Sequence, residues 1–177
     1  MSRVLLSLVV ALAACGTSHS STSADPATSA SAARARDAAA GHTLLDDHLR
    51  VLQQMGLGAT AELMPELDRQ AALAKSLETA GRIGPAFARR FDALSDATRA
   101  LITPAPDAAA REALAQRLQT WVSGVEGGAG LSPENLTMAT IAPLMVEELV
   151  DLHMLLDGST DREATRQRYV TPLMDAR

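Results

Sequence analysis

The sequence predicts an all-α fold, an up-and-down bundle of four to six helices behind a disordered N-terminal tether. Three observations point there. From about Thr43 onward apolar residues recur at intervals of three and four, and no run alternates with period two. Gly and Pro punctuate those stripes at short intervals, so the connections are short and successive helices pack antiparallel. Residues 16 to about 36 are dominated by Ser, Thr and Ala, with too few large apolar groups to drive folding.

The chain begins with an export pattern. Met1, Ser2 and Arg3 carry one positive charge, and Val4 to Leu12 is apolar except for Ser7. A membrane-spanning helix needs ~20 apolar residues, about twice this run, so the segment serves export and does not stay as an anchor. Leu12, Ala13, Ala14 and Cys15 follow: a large aliphatic residue, two small ones and the only cysteine of the chain.

In these residues the chain resembles the bacterial lipoproteins, whose lipobox has this form. The resemblance reaches no further than about Ser20. It implies that residues 1–14 are a signal peptide removed before Cys15, and that Cys15 carries a diacylglyceryl group on sulfur and often a palmitate-type acyl group on its new amino terminus. Burial contributes ~0.8 kcal/mol per methylene, and a single myristoyl chain holds only marginally, so two or three chains on one residue make a stable anchor. In enteric-type sorting a residue other than Asp after the cysteine, here Gly16, implies the outer membrane and a periplasm-facing domain. The plain alternative for Cys15 is a small residue near an Ala-x-Ala cleavage site.

Charge narrows the partners. The 177 residues include 16 basic and 21 acidic ones, a formal net charge of −5 that grows by one when Arg3 is removed. Nucleic-acid binding needs a basic stripe that this composition does not supply. Anionic lipid is no better a partner, which leaves Cys15 to hold the membrane. An acylated Cys15 also leaves no thiol for a disulfide, so packing alone stabilises the body. The aromatic residues Phe87, Phe91, Trp121 and Tyr169 are too few for a stacking platform. Residues 15–40 are expected to be lipidated cysteine and linker, and residues 41–177 one helical domain.

The helices follow in order. Leu45, Leu49, Leu52 and Met55 form the first stripe, stopped by Gly56-Leu57-Gly58; the Ala-rich stretch Ala32 to Ala40 either belongs to the linker, as taken here, or extends this helix. Leu63, Leu67, Ala74 and Leu77 form the second, where Pro65 predicts a late start or a kink and Gly81 the end. The third runs from Pro85 through Phe87, Phe91, Leu94, Thr98 and Leu101 to Pro104. Leu114, Leu118, Trp121 and Val125 mark the fourth. Ser132, Pro133 and Glu134 predict the start of the fifth, which runs to Asp157. Thr160 to Glu163 reads as a capping box for a last helix ending near Met174.

Little chemistry is declared. At about 100° per residue, His153 shares the face of Met138, Ala142, Met145, Leu149 and Leu156, while Glu147 and Asp151 point away. His48 likewise sits with Leu45, Leu52 and Met55. If the first and fifth helices pack together, His48 and His153, with Met55 and Met145 as thioethers, converge on a haem or transition-metal site of the kind bundles build. The plain alternative is two core-edge histidines hydrogen-bonded to carbonyls or carboxylates, with the Met residues as core filler. His42 and His19 read as solvated, and Glu147, Glu148 and Asp151 as a solvated acidic face.

Gly56 to Ala61 fits a loose dinucleotide pattern but follows a helix, and Asp157 to Arg168 departs from a calcium loop at its sixth and twelfth positions. No nucleophile stands with a base, so no enzyme and no obligatory cofactor are expected. The leading expectation is a non-enzymatic lipoprotein with a binding or structural module in the cell envelope, where Leu144, Met154 and Leu155 offer a protein partner a surface. The alternative is a haem- or metal-binding bundle using His48 and His153.

Overall fold

The computed structural model describes residues 26–58, 60, 62–103, 107–125 and 138–175. Among the described residues the protein is all-α, with six helices and no strand: α1 (Pro26–Gly56), α2 (Leu63–Thr79), α3 (Pro85–Ile102), α4 (Ala108–Val122), α5 (Met138–Asp157) and α6 (Arg162–Asp175). The expected signal peptide, Cys15, Gly16 and His19 lie outside the described residues, as do Ser132, Pro133 and Glu134.

The largest departure from expectation is the length of α1. It begins at Pro26, so residues 26–40 are helix where a linker was expected. Ala has the best helix propensity of all residues, and Pro is pre-organised for a first helical position, so a segment without core residues still coils once the following turns dock. Ser31, Ala32, Arg34, Ala35 and Arg36 are exposed, and Arg82 pairs with Asp37 at 3.1 Å and reaches the Arg36 carbonyl at 3.2 Å. A 31-residue helix is ~46 Å long, and its exposed residues 34–36 lead into the packed part that begins at Ala40.

Two boundary details differ as well. Helix α2 starts at Leu63, which puts Pro65 in the first turn, where its missing N–H has no partner to lose. For α6 the cap is Asp161, not Thr160: its side chain accepts from the Ala164 N–H at 3.0 Å, while Glu163 accepts from Gln167 at 2.8 Å. Asp107 caps α4 in the same manner, accepting from Ala110 N–H at 2.8 Å.

The principal core joins all six helices through Leu44, Leu45, Leu49, Leu52, Ala74, Phe87, Phe91, Leu94, Leu118, Met145, Leu149 and Tyr169. Pairings such as His48 with Gln70 and Val51 with Leu67 run α1 antiparallel to α2. Helix α5 runs antiparallel to α1, with Gly41 under Leu156 and Leu52 near Ala142. Helix α6 folds back over the seam between them: Arg168 meets Asp46, and Gln53 donates to the Pro172 carbonyl at 3.0 Å.

The acidic face of α5 is not solvated. Glu148 is only 3% exposed and accepts two hydrogen bonds from Arg90 of α3, both at 2.8 Å; Arg90 also donates to Asp151 at 2.7 Å. From α6, Arg162 donates to Asp151 and to Glu147, and Arg166 to Glu147 at 2.6 Å. Burial opposes ionisation of Asp151, yet hydrogen bonds from Arg90 and Arg162 hold its carboxyl below the usual range. The wheel pointed these residues away from one stripe; two flanking helices then met them with arginines.

The expected partner surface is also largely covered by the chain itself. Leu144 is buried with Val122 and Val125, Met154 packs against the principal core, and only Leu155 is exposed.

Candidate metal centre

Where α1, α5 and α6 meet, three polar side chains converge: His42 from α1, and His153 and Asp157 from α5. Their ligating atoms all lie within 4.8 Å of one another. Residues 153 and 157 are one turn apart on α5, so imidazole and carboxylate share a face. Beside His42, Gly41 leaves room for Leu156 between the two helices: a Cβ there would stand 2.6 Å from a Leu156 methyl, which would have to shift. Gly in mid-helix costs ~1 kcal/mol, and here it is offset by the close approach of α1 to α5.

Asp157 bridges the two imidazoles. Its Oδ1 lies 3.0 Å from His42 Nε2, and its Oδ2 lies 3.0 Å from His153 Nε2. The rings stack with centroids 4.5 Å apart and planes 27° from parallel. His42 Nε2 is shielded from solvent but lacks a well-aligned hydrogen bond, so its short distance to Asp157 reflects proximity without good angles.

Tyr169 of α6 supports His153 from the other side, with 2.9 Å between its hydroxyl and Nδ1 and its ring edge-on to the imidazole. Burial raises the Tyr169 pKa, so the hydroxyl keeps its proton at neutral pH. Burial, and next the neighbouring His42, lower the pKa of His153 and keep it neutral. A neutral imidazole is what a metal ligand requires. In the metal-free pairing Nε2–H faces Asp157 and Tyr169 donates to Nδ1. Exchange to the other tautomer frees the Nε2 lone pair, and Nδ1–H then donates to the tyrosine oxygen, the usual orienting contact of a ligating histidine.

The other predicted site residues lie elsewhere. His48 is fully buried, with Nδ1 3.0 Å from Gln70 Oε1 and Nε2 3.1 Å from Thr98 Oγ1. Nδ1–H donates to Gln70, whose amide donates on to Glu66 at 2.8 Å, while Nε2 faces the Thr98 hydroxyl, whose one proton also points to the Leu94 carbonyl at 2.9 Å, so both ring nitrogens have a polar neighbour inside the core. Burial pushes its pKa down to about 4. The structure therefore does not bring His48 and His153 to one site. Met145 is fully buried in the core, and Met55 is half-buried where two apolar clusters meet. His153 belongs to the cluster; His42, expected to be solvated, is its second imidazole.

Sequence reasoning missed His42, Asp157 and Tyr169, yet a signal for two of them was present. His42-Thr43-Leu44-Leu45-Asp46 and His153-Met154-Leu155-Leu156-Asp157 repeat one pattern, a histidine and an aspartate one turn apart around a Leu-Leu pair. No such signal marks Tyr169. Comparison with known proteins supplies no relative: no family model matches the chain, and no curated protein and no solved structure matches it significantly.

Proposed function

We propose that the mature protein is a lipid-anchored, non-enzymatic helical module of the bacterial envelope that binds one first-row divalent metal ion, of which Zn²⁺ suits the donors best. The observation that carries the metal reading is the convergence of one ring nitrogen each from His42 and His153 and an Asp157 oxygen within 4.8 Å of one another, with both Nε2 atoms 3.0 Å from the carboxylate. Two imidazoles and a carboxylate, with no thiolate, form the mixed nitrogen–oxygen set that borderline divalent ions prefer. The stacked rings favour a bare ion over haem, whose axial histidines address iron from opposite faces of a macrocycle.

Isothermal titration of the detergent-solubilised chain with Zn²⁺ is expected to give one site. His153→Ala or Asp157→Asn should abolish it, and His48→Gln should leave it intact. Equal binding by wild type and both cluster variants would place the ion elsewhere.

The anchor reading rests on the lipobox at Leu12–Cys15 and has a separate test. Cys15→Ser is expected to abolish incorporation of labelled fatty acid and to leave unprocessed precursor in cells; normal labelling of that variant refutes it. Facing the periplasm from the outer membrane follows from Gly16 in the same way.

A further inference from the structure

Resting on the metal reading above, we infer that Asp46 is the fourth ligand, so that two copies of one helical motif close a two-histidine, two-carboxylate site. Each motif places its aspartate four residues after its histidine, on the same helical face. Because α1 and α5 are antiparallel where Gly41 meets Leu156 and the two imidazoles stack there, an approximate two-fold relation between the copies follows as part of the inference. That symmetry sets each aspartate beside the opposite histidine. Asp157 obeys it, 3.0 Å from His42. Asp46 is the counterpart: it pairs with Arg168, the residue before Tyr169, whose hydroxyl holds His153.

What holds Asp46 back is Arg168, which donates to its two oxygens at 3.3 and 3.2 Å. The pair is about half-exposed and its contacts are long, so it competes weakly with a divalent ion. A rotamer change at Asp46 completes the coordination shell and leaves Arg168 to solvent. Four protein ligands leave no open position for a substrate or an activated water, and the ion then holds α1 to α5 as a closed structural or carrier site.

Co²⁺ titration of the detergent-solubilised chain, read by its visible d–d absorption, tests this. Wild type is expected to bind one Co²⁺ with the intense band of a four-coordinate, near-tetrahedral site. Asp46→Asn should still bind but about 10–100-fold more weakly, at least the loss that follows removal of an outer-shell partner, and with the band weakened as water replaces the carboxylate. Arg168→Gln should bind more tightly than wild type. Asp46→Asn with weakened affinity but an unchanged spectrum means that Asp46 acts through its charge alone and overturns ligation. Unchanged affinity and spectrum overturn it too, while wild-type binding keeps the three-ligand reading. No stoichiometric binding by wild type removes both.

Discussion

Replacing Arg90 by Ala is expected to lower the unfolding free energy by about 3 kcal/mol. Glu148 is 3% exposed, and both its oxygens are held by the Arg90 guanidinium at 2.8 Å. Removing the arginine strands an ionised carboxylate between α3 and α5, away from compensating water. The low end of the range for breaking a buried pair applies because the Arg90 side chain is itself 37% exposed. Asp151 loses a partner in the same step but keeps Arg162. Urea titration reads the effect directly. The double variant Arg90→Met with Glu148→Leu should recover most of the loss, since an apolar pair of similar volume often matches a buried ion pair. A loss below ~0.5 kcal/mol for the single variant would make the pair an ordinary surface contact.

Acid is expected to destabilise the bundle through His48. Its folded pKa is about 4 against 6.5 for an unperturbed imidazole, because burial disfavours the charged form and the Arg99 charge adds to it, although the hydrogen bond to Gln70 opposes both. The unfolded chain therefore takes up a proton that the folded chain refuses between those two values. Stability from this residue is full above pH 6.5, falls as the pH drops toward 4, and levels off below, a total of about 3 kcal/mol. His153 adds acid sensitivity of the same sign, so a comparison isolates His48. His48→Leu strands the Gln70 side-chain oxygen, while Thr98 keeps the Leu94 carbonyl, and should be less stable than wild type at pH 7, yet the gap should close or reverse by pH 4.5. Parallel pH profiles for the two proteins would show that His48 does not carry the effect.

Much of the fold was legible because its helices bury one stripe each. Phe87, Phe91, Leu94 and Thr98 are buried as their spacing requires, and so are Leu63, Leu67, Ala74 and Leu77. What failed was non-local. The Ala-rich start of α1 has no stripe, and composition alone does not separate a helix from a leash. Glu148 looked solvated because a helical wheel knows one partner face, whereas α5 is flanked by α3 and α6, each of which sends arginines. The site was half-legible. His153 stood out on a core face, but His42 was read with the segment before it, and the antiparallel docking that joins it to Asp157 is a non-local contact in which Gly41 leaves room for Leu156.

The most direct measurement is anomalous diffraction from crystals grown with Zn²⁺, with data on both sides of the zinc absorption edge. The expected result is one strong peak among His42, His153 and Asp157, with Zn–N distances near ~2.0–2.1 Å to the two Nε2 atoms and Tyr169 still bonded to Nδ1. No peak there, with zinc found only at surface carboxylates or at His48, would contradict the metal centre itself.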